Sequence, residues 1–136
     1  MTRSAAFALL ALGLAGCAAE PAPEAPPTVA VVEIPPAMQG RWGLDPADCT
    51  ADPAVAKGLM EVGPTGLRFY ESRAVLRDGR LTGPVRLEGL FDFEGEGQEW
   101  TLPQVLDLRL DGAMLVRREP GPAERPLFYH ACPPVC

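Results

Sequence analysis

Apolar and polar residues alternate most cleanly between Val85 and Glu94. Val85, Leu87, Gly89, Phe91 and Phe93 fall on one parity and Arg86, Glu88, Leu90, Asp92 and Glu94 on the other. A two-residue period with one apolar side marks a strand that buries one face of a sheet. After Gly95-Glu96-Gly97 the pattern returns, with Trp100, Leu102, Leu106, Leu108 and Leu110 sharing a parity. Pro103 lies inside this run, and because proline cannot donate to a ladder it predicts a break or bulge there.

Shorter alternating runs surround this pair. Leu59–Val62 and Leu67–Glu71 flank Gly63-Pro64-Thr65-Gly66 and read as a hairpin with Leu67 and Phe69 on one face. Ala74–Arg77 and Arg80–Thr82 flank Asp78-Gly79, a dipeptide suited to the positive φ angles of a tight turn, which predicts a second hairpin. Asp111-Gly112 turns the chain into Met114–Arg117, Glu119-Pro120-Gly121-Pro122 forms a loop, and Leu127–Cys132 closes as a last strand. Ahead of these, Gln39-Gly40-Arg41-Trp42-Gly43 opens the domain with Trp42 as a core plug. Asp45 then caps a helical turn that begins at Pro46, and Asp52-Pro53 opens a second such turn. The sum is an all-β chain of about seven or eight strands, a small antiparallel meander barrel of lipocalin-like build or a sandwich. The barrel is favoured, because closure removes the exposed edges that a small sheet must otherwise protect.

The first third of the chain follows neither period. Met1–Ser4 carries one positive charge at Arg3, and Ala5–Leu14 is an unbroken apolar run, the arrangement of a secretory signal. The run is about half the roughly twenty residues needed to span a bilayer as a helix. From Ala18 to Pro36 the sequence is dense in proline and alanine and reads as an extended tether, with Val29–Ile34 as an alternative edge strand. The expected organisation is therefore a signal over 1–16, an attachment point and tether over 17–37, and one β-domain over 38–136.

Leu14-Ala15-Gly16-Cys17 resembles the lipobox of bacterial lipoproteins. The resemblance implies cleavage before Cys17, lipidation of Cys17, and attachment to a membrane through that lipid. Ala18 and Ala19 stand where an aspartate retains many enteric lipoproteins in the inner membrane, so the same resemblance implies the outer membrane, facing the periplasm. Gly40-Arg41-Trp42-Gly43, Asp48-Cys49, Phe69-Tyr70-Glu71-Ser72, Gly95-Glu96-Gly97 and Cys132 together look like small proteobacterial lipoprotein domains without an assigned activity. Size, anchoring and all-β texture are more remotely similar to lipoprotein inhibitors of lysozyme, although no motif of theirs is matched.

An exported chain changes the reading of its cysteines, since oxidising compartments favour disulfides. With Cys17 acylated, Cys49, Cys132 and Cys136 remain, enough for one bridge and one spare thiol. Cys49–Cys132 is favoured and Cys132–Cys136 is its rival, because Pro133 and Pro134 stiffen the short connection. Charge narrows the partners. The 136-residue chain has a formal net charge of −6, and loss of Arg3's single positive charge with the signal makes it −7. No basic patch is present to neutralise phosphates, so nucleic acid is not an expected partner.

Candidate chemistry is sparse. The single histidine, His130, forms a His-x-Cys-x3-Cys pattern with Cys132 and Cys136 that would suit a soft metal, set against a plain strand residue beside a disulfide. Asp92, Glu94, Glu96 and Glu99 crowd a glycine-rich turn without the spacing of a calcium loop, and read as a solvated face. No Gly-x-Ser-x-Gly elbow and no phosphate-cradling glycine loop occurs, and no metal or cofactor is expected. Trp42 and Trp100 are candidates for the floor of an apolar ligand cavity or for simple packing. Tyr70, Glu71 and Arg73, an aromatic among alternating charges, are the candidate binding surface. The expected function is a non-enzymatic binding or envelope-maintenance module for a protein or glycan. The alternatives are a lipocalin-like carrier of a small apolar ligand and an inhibitor of a cell-wall hydrolase.

Overall fold

The structure, a computed structural model, describes residues 21–25 and 27–134. Among these described residues nine strands form one antiparallel sheet: β1 (Thr28–Val31), β2 (Gly40–Gly43), β3 (Leu59–Val62), β4 (Gly66–Arg68), β5 (Ser72–Thr82), β6 (Arg86–Gly95), β7 (Gln98–Arg109), β8 (Met114–Arg118) and β9 (Leu127–Ala131). From β2 to β9 each strand pairs with the next, and β9 returns to β2 through Trp42↔Ala131 and Gly43↔His130. The result is a closed eight-stranded up-and-down barrel. β1 is an additional strand, laid antiparallel along the last part of β5 from Thr28↔Thr82 to Val31↔Gly79.

The expected alternation holds from Leu87 onward, whereas Val85, just ahead of β6, is 45% exposed rather than core. Leu87, Phe91 and Phe93 point inward at 0%, 0% and 6% exposure, while Glu94 on the other parity is exposed. Trp42 is a core plug, and its indole N–H donates to the Met38 carbonyl at 2.9 Å, which removes the cost of burying a polar tip. Asp45 caps the single turn Pro46–Cys49, with its carboxylate accepting from the Ala47 N–H and Asp48 answering to the Asp45 N–H.

Three local expectations are corrected. Asp78-Gly79 is not a turn: β5 runs straight through it, with one irregularity between Leu76 and Asp78. Gly79 is there for closeness, since an added Cβ would stand 3.2–3.4 Å from the methyls of Leu76 and Leu87. Pro103 makes no break, because β6–β7 pairing passes Leu90↔Pro103 without a shift. β8 joins β7 only from Val105, so no ladder bond is lost at the proline. Leu110 is 69% exposed rather than core, because the chain leaves the sheet at Arg109 and enters a short 3₁₀ turn.

The sheet also begins inside the segment read from composition as a tether. Thr28–Val31 is the edge strand β1, and Ile34, completely buried, donates its N–H to the Pro64 carbonyl at 2.7 Å. One apolar residue in a proline-rich stretch is a weak signal, yet it fills the barrel beside Met38. Residues 1–20, with the expected signal and the expected attachment point Cys17, lie outside the described residues, as do Val135 and Cys136.

Candidate binding surface

One end of the barrel collects the residues with chemical character. Phe69 N–H donates to the Ser72 carbonyl at 2.8 Å, a tight β4–β5 connection that pushes Tyr70 and Glu71 into solvent. Tyr70 is 38% exposed, and the only lysine, Lys57, holds its ammonium 5.8 Å from the ring centroid. Behind them an aromatic stack lines the rim. Phe69 and Phe93 have centroids 6.2 Å apart, and Phe93 and Trp100 5.6 Å, both nearly parallel. Arg117 covers the open side of Phe69 at 4.8 Å. Arg117 also donates to the Gln104 side-chain oxygen at 2.8 Å, while the Gln104 amide donates to the Pro103 carbonyl and the Glu119 carboxylate.

Outside the rim the charges are matched across strands. Arg73, the third predicted surface residue, bonds Glu94 at 2.7 Å. Arg77 makes two bonds to Asp92, which also accepts from the Thr101 hydroxyl at 2.7 Å. The Thr101 hydroxyl and then the Arg77 guanidinium hold the Asp92 carboxyl below the usual carboxylate range. Asp92 and Glu94 are thus engaged by arginines and threonine, leaving Glu96 and Glu99 at the hairpin. Tyr70, Glu71 and Arg73 occupy one end, but Arg73 faces Glu94 rather than joining Tyr70 over a common ligand.

The bridge is Cys49–Cys132, with the sulfurs 2.04 Å apart and a sequence separation of 83. Cys132 is therefore not a thiolate for the His130 pattern. His130 itself is an exposed β9 residue opposite Gly43 and Met114. Among the described residues no group of three or more His, Cys, Asp or Glu side chains is placed to hold a metal ion.

Sequence reasoning missed Asp107. It lies on the outer face of β7 yet is only 3% exposed, with Arg86, Arg109 and Arg118 all closing on one carboxylate oxygen. The strand neighbours Asp107↔Arg86 and Asp107↔Val116 explain the meeting, but only the register supplies them. Arg117 and Gln104 were missed for the same reason: a polar residue on an inward parity has no meaning until the strand opposite is known.

The fold and this rim define a closed meander barrel with a packed interior and one end rich in aromatic and charged side chains. No family model matches the chain, and neither does any curated protein or solved structure.

Proposed function

We propose that this protein is a lipid-anchored, non-enzymatic binding or envelope-maintenance module, attached through Cys17 to the outer membrane, facing the periplasm and contacting an envelope protein or glycan through the Tyr70 end of its barrel. The observation that carries this reading is the filled interior. Phe91, Leu87, Leu106, Leu115 and Met60 are completely buried along the barrel, with Met38 at 1%. A carrier needs an unfilled lumen of a few hundred Å³ for its ligand. With side chains along the axis, recognition falls to the surface, and exposed tyrosine among charges is the composition that suits contact.

Affinity capture from native envelopes tests it. The full-length chain is compared with a Tyr70→Ala/Arg73→Ala variant and a Glu124→Ala control. The reading expects one partner, protein or glycan, whose recovery falls roughly tenfold in the double variant and holds in the control, the loss of about 1.4 kcal/mol of contact. Equal recovery from all three chains would contradict the assigned surface.

A further inference from the structure

β7 extends well past the end of β8. Its register with β8 starts at Val105↔Arg118, whereas its pairing with β6 continues to Gly95↔Gln98 at the hairpin tip. Among the described residues, Gln98 to Gln104 therefore have a strand on one side only. The turn decides which groups face the open side. Glu96 and Gly97 both have positive φ, 51° and 75°, forming a two-residue loop closed by the hydrogen-bonded pair Gly95↔Gln98. Further down, the Leu108 N–H donates towards β6, to the Val85 carbonyl at 2.8 Å. Even-numbered residues of β7 thus aim their backbone groups at β6, and Glu99, Thr101 and Pro103 aim theirs outward. Pro103 has no N–H, and its carbonyl is occupied by the Gln104 amide at 2.9 Å. The edge therefore offers bonding groups at Glu99 and Thr101 and is closed beyond them.

Natural edges are guarded by lysines, prolines, bulges or covering loops. Here the proline guards only one end, and no Lys or Arg occurs between Leu87 and Leu108. Asp92 and Glu94 have arginine partners, but among the described residues no cation lies within 4.0 Å of the Glu96 or Glu99 carboxylates. A strand added here would set alternate side chains against two different surfaces. One set would lie beside Glu99 and Thr101 on the outer face. The other would lie beside Trp100, which is stacked on Phe93 and 37% exposed. Cross-strand neighbours of opposite charge, and apolar neighbours of an aromatic, are the favourable pairs.

We propose that the Glu99–Thr101 edge of β7 docks an extended segment of a partner protein in which basic and apolar residues alternate, bound as an added β-strand. This deepens the binding role proposed above and rests on it, while needing no lipid anchor.

The test uses the ¹⁵N-labelled full-length chain in detergent and three synthetic octapeptides. One alternates Lys and Val, one alternates Glu and Val, and one is the Lys–Val peptide with every backbone nitrogen methylated, so that neither edge can pair. The Lys–Val peptide is expected to slow amide exchange at Glu99 and Thr101 roughly tenfold or more at saturation. The other two peptides are expected to leave exchange there unchanged. Glu99→Lys is expected to weaken binding roughly tenfold. Thr101→Pro is expected to remove the protection at Glu99, and Glu99→Lys carries the test should that proline variant not fold. Absence of binding, or equal binding of the Glu–Val peptide, overturns the proposal. Protection appearing at Tyr70 and Arg73 instead also overturns it, while leaving the broader binding role standing.

Discussion

Removing the Cys49–Cys132 bridge is expected to destabilise the fold by about 4 kcal/mol, the unfolded-state entropy restored when a loop of this length is opened. For a domain of this size that corresponds to a fall in melting temperature of roughly 15–30 °C. The position of the bridge makes the effect local as well as global. The seam that closes the barrel, β9 against β2, carries only two register pairs, and Cys132 extends it by donating its N–H to the Arg41 carbonyl at 2.9 Å. Cys49 ends the capped turn that leaves β2, so the disulfide clasps the seam from outside. Thermal unfolding of the oxidised chain and of a Cys49→Ser/Cys132→Ser variant measures this directly. A melting temperature lowered by less than about 3 °C would contradict the assigned role, since that is under 1 kcal/mol.

Asp107→Ala is the second substitution expected to have a large effect, destabilising by about 3 kcal/mol. Removing one partner of a buried ionic group typically costs about 3–5 kcal/mol, because the opposite charge is left uncompensated. The low end applies here, since Arg86, Arg109 and Arg118 keep part of their side chains in water, at 36%, 56% and 25% exposure. The nearby Arg86–Glu88 and Arg118–Glu124 pairs soften the loss further. A paired Asp107→Leu/Arg118→Met variant should recover most of it, as apolar replacement of both partners often does. Equilibrium urea unfolding of the three chains checks this. An Asp107→Ala variant within about 0.5 kcal/mol of the parent, the range of an ordinary surface change, would mean that the cluster contributes nothing.

Much of the barrel can be read from the chain because its dominant signal is local. Leu87, Phe91 and Phe93 announce their face through a period of two, and a chain of short connections leaves a meander as the economical topology. The Cys49–Cys132 pairing was accessible by a similar argument from chain stiffness at Pro133-Pro134. Where the reading failed, the same residues served a different physical need. Gly79 satisfies the signature of a tight turn and is used for close packing against Leu76 and Leu87. Pro103 satisfies the signature of a strand break and is used on an edge that has no partner to lose. The edge strand at Thr28–Val31 was legible only as the alternative to a tether over Val29–Ile34, because proline content outweighs one buried isoleucine. The Asp107 cluster and the Arg117–Gln104 contact depend on register between strands, which no short window of sequence contains. At the candidate surface, exposure of Tyr70 and Glu71 was legible from their neighbours, but the pairing of Arg73 with Glu94 was not.

The proposal of an anchored envelope module is tested most directly by the intact mass of the protein isolated from its native membranes. The account predicts a polypeptide that starts at Cys17 and carries fatty acyl groups on that residue, and a Cys17→Ser variant that accumulates as unprocessed, unacylated precursor. A native mass equal to that of the unmodified chain from Met1, or normal acylation of the Cys17→Ser variant, would contradict it.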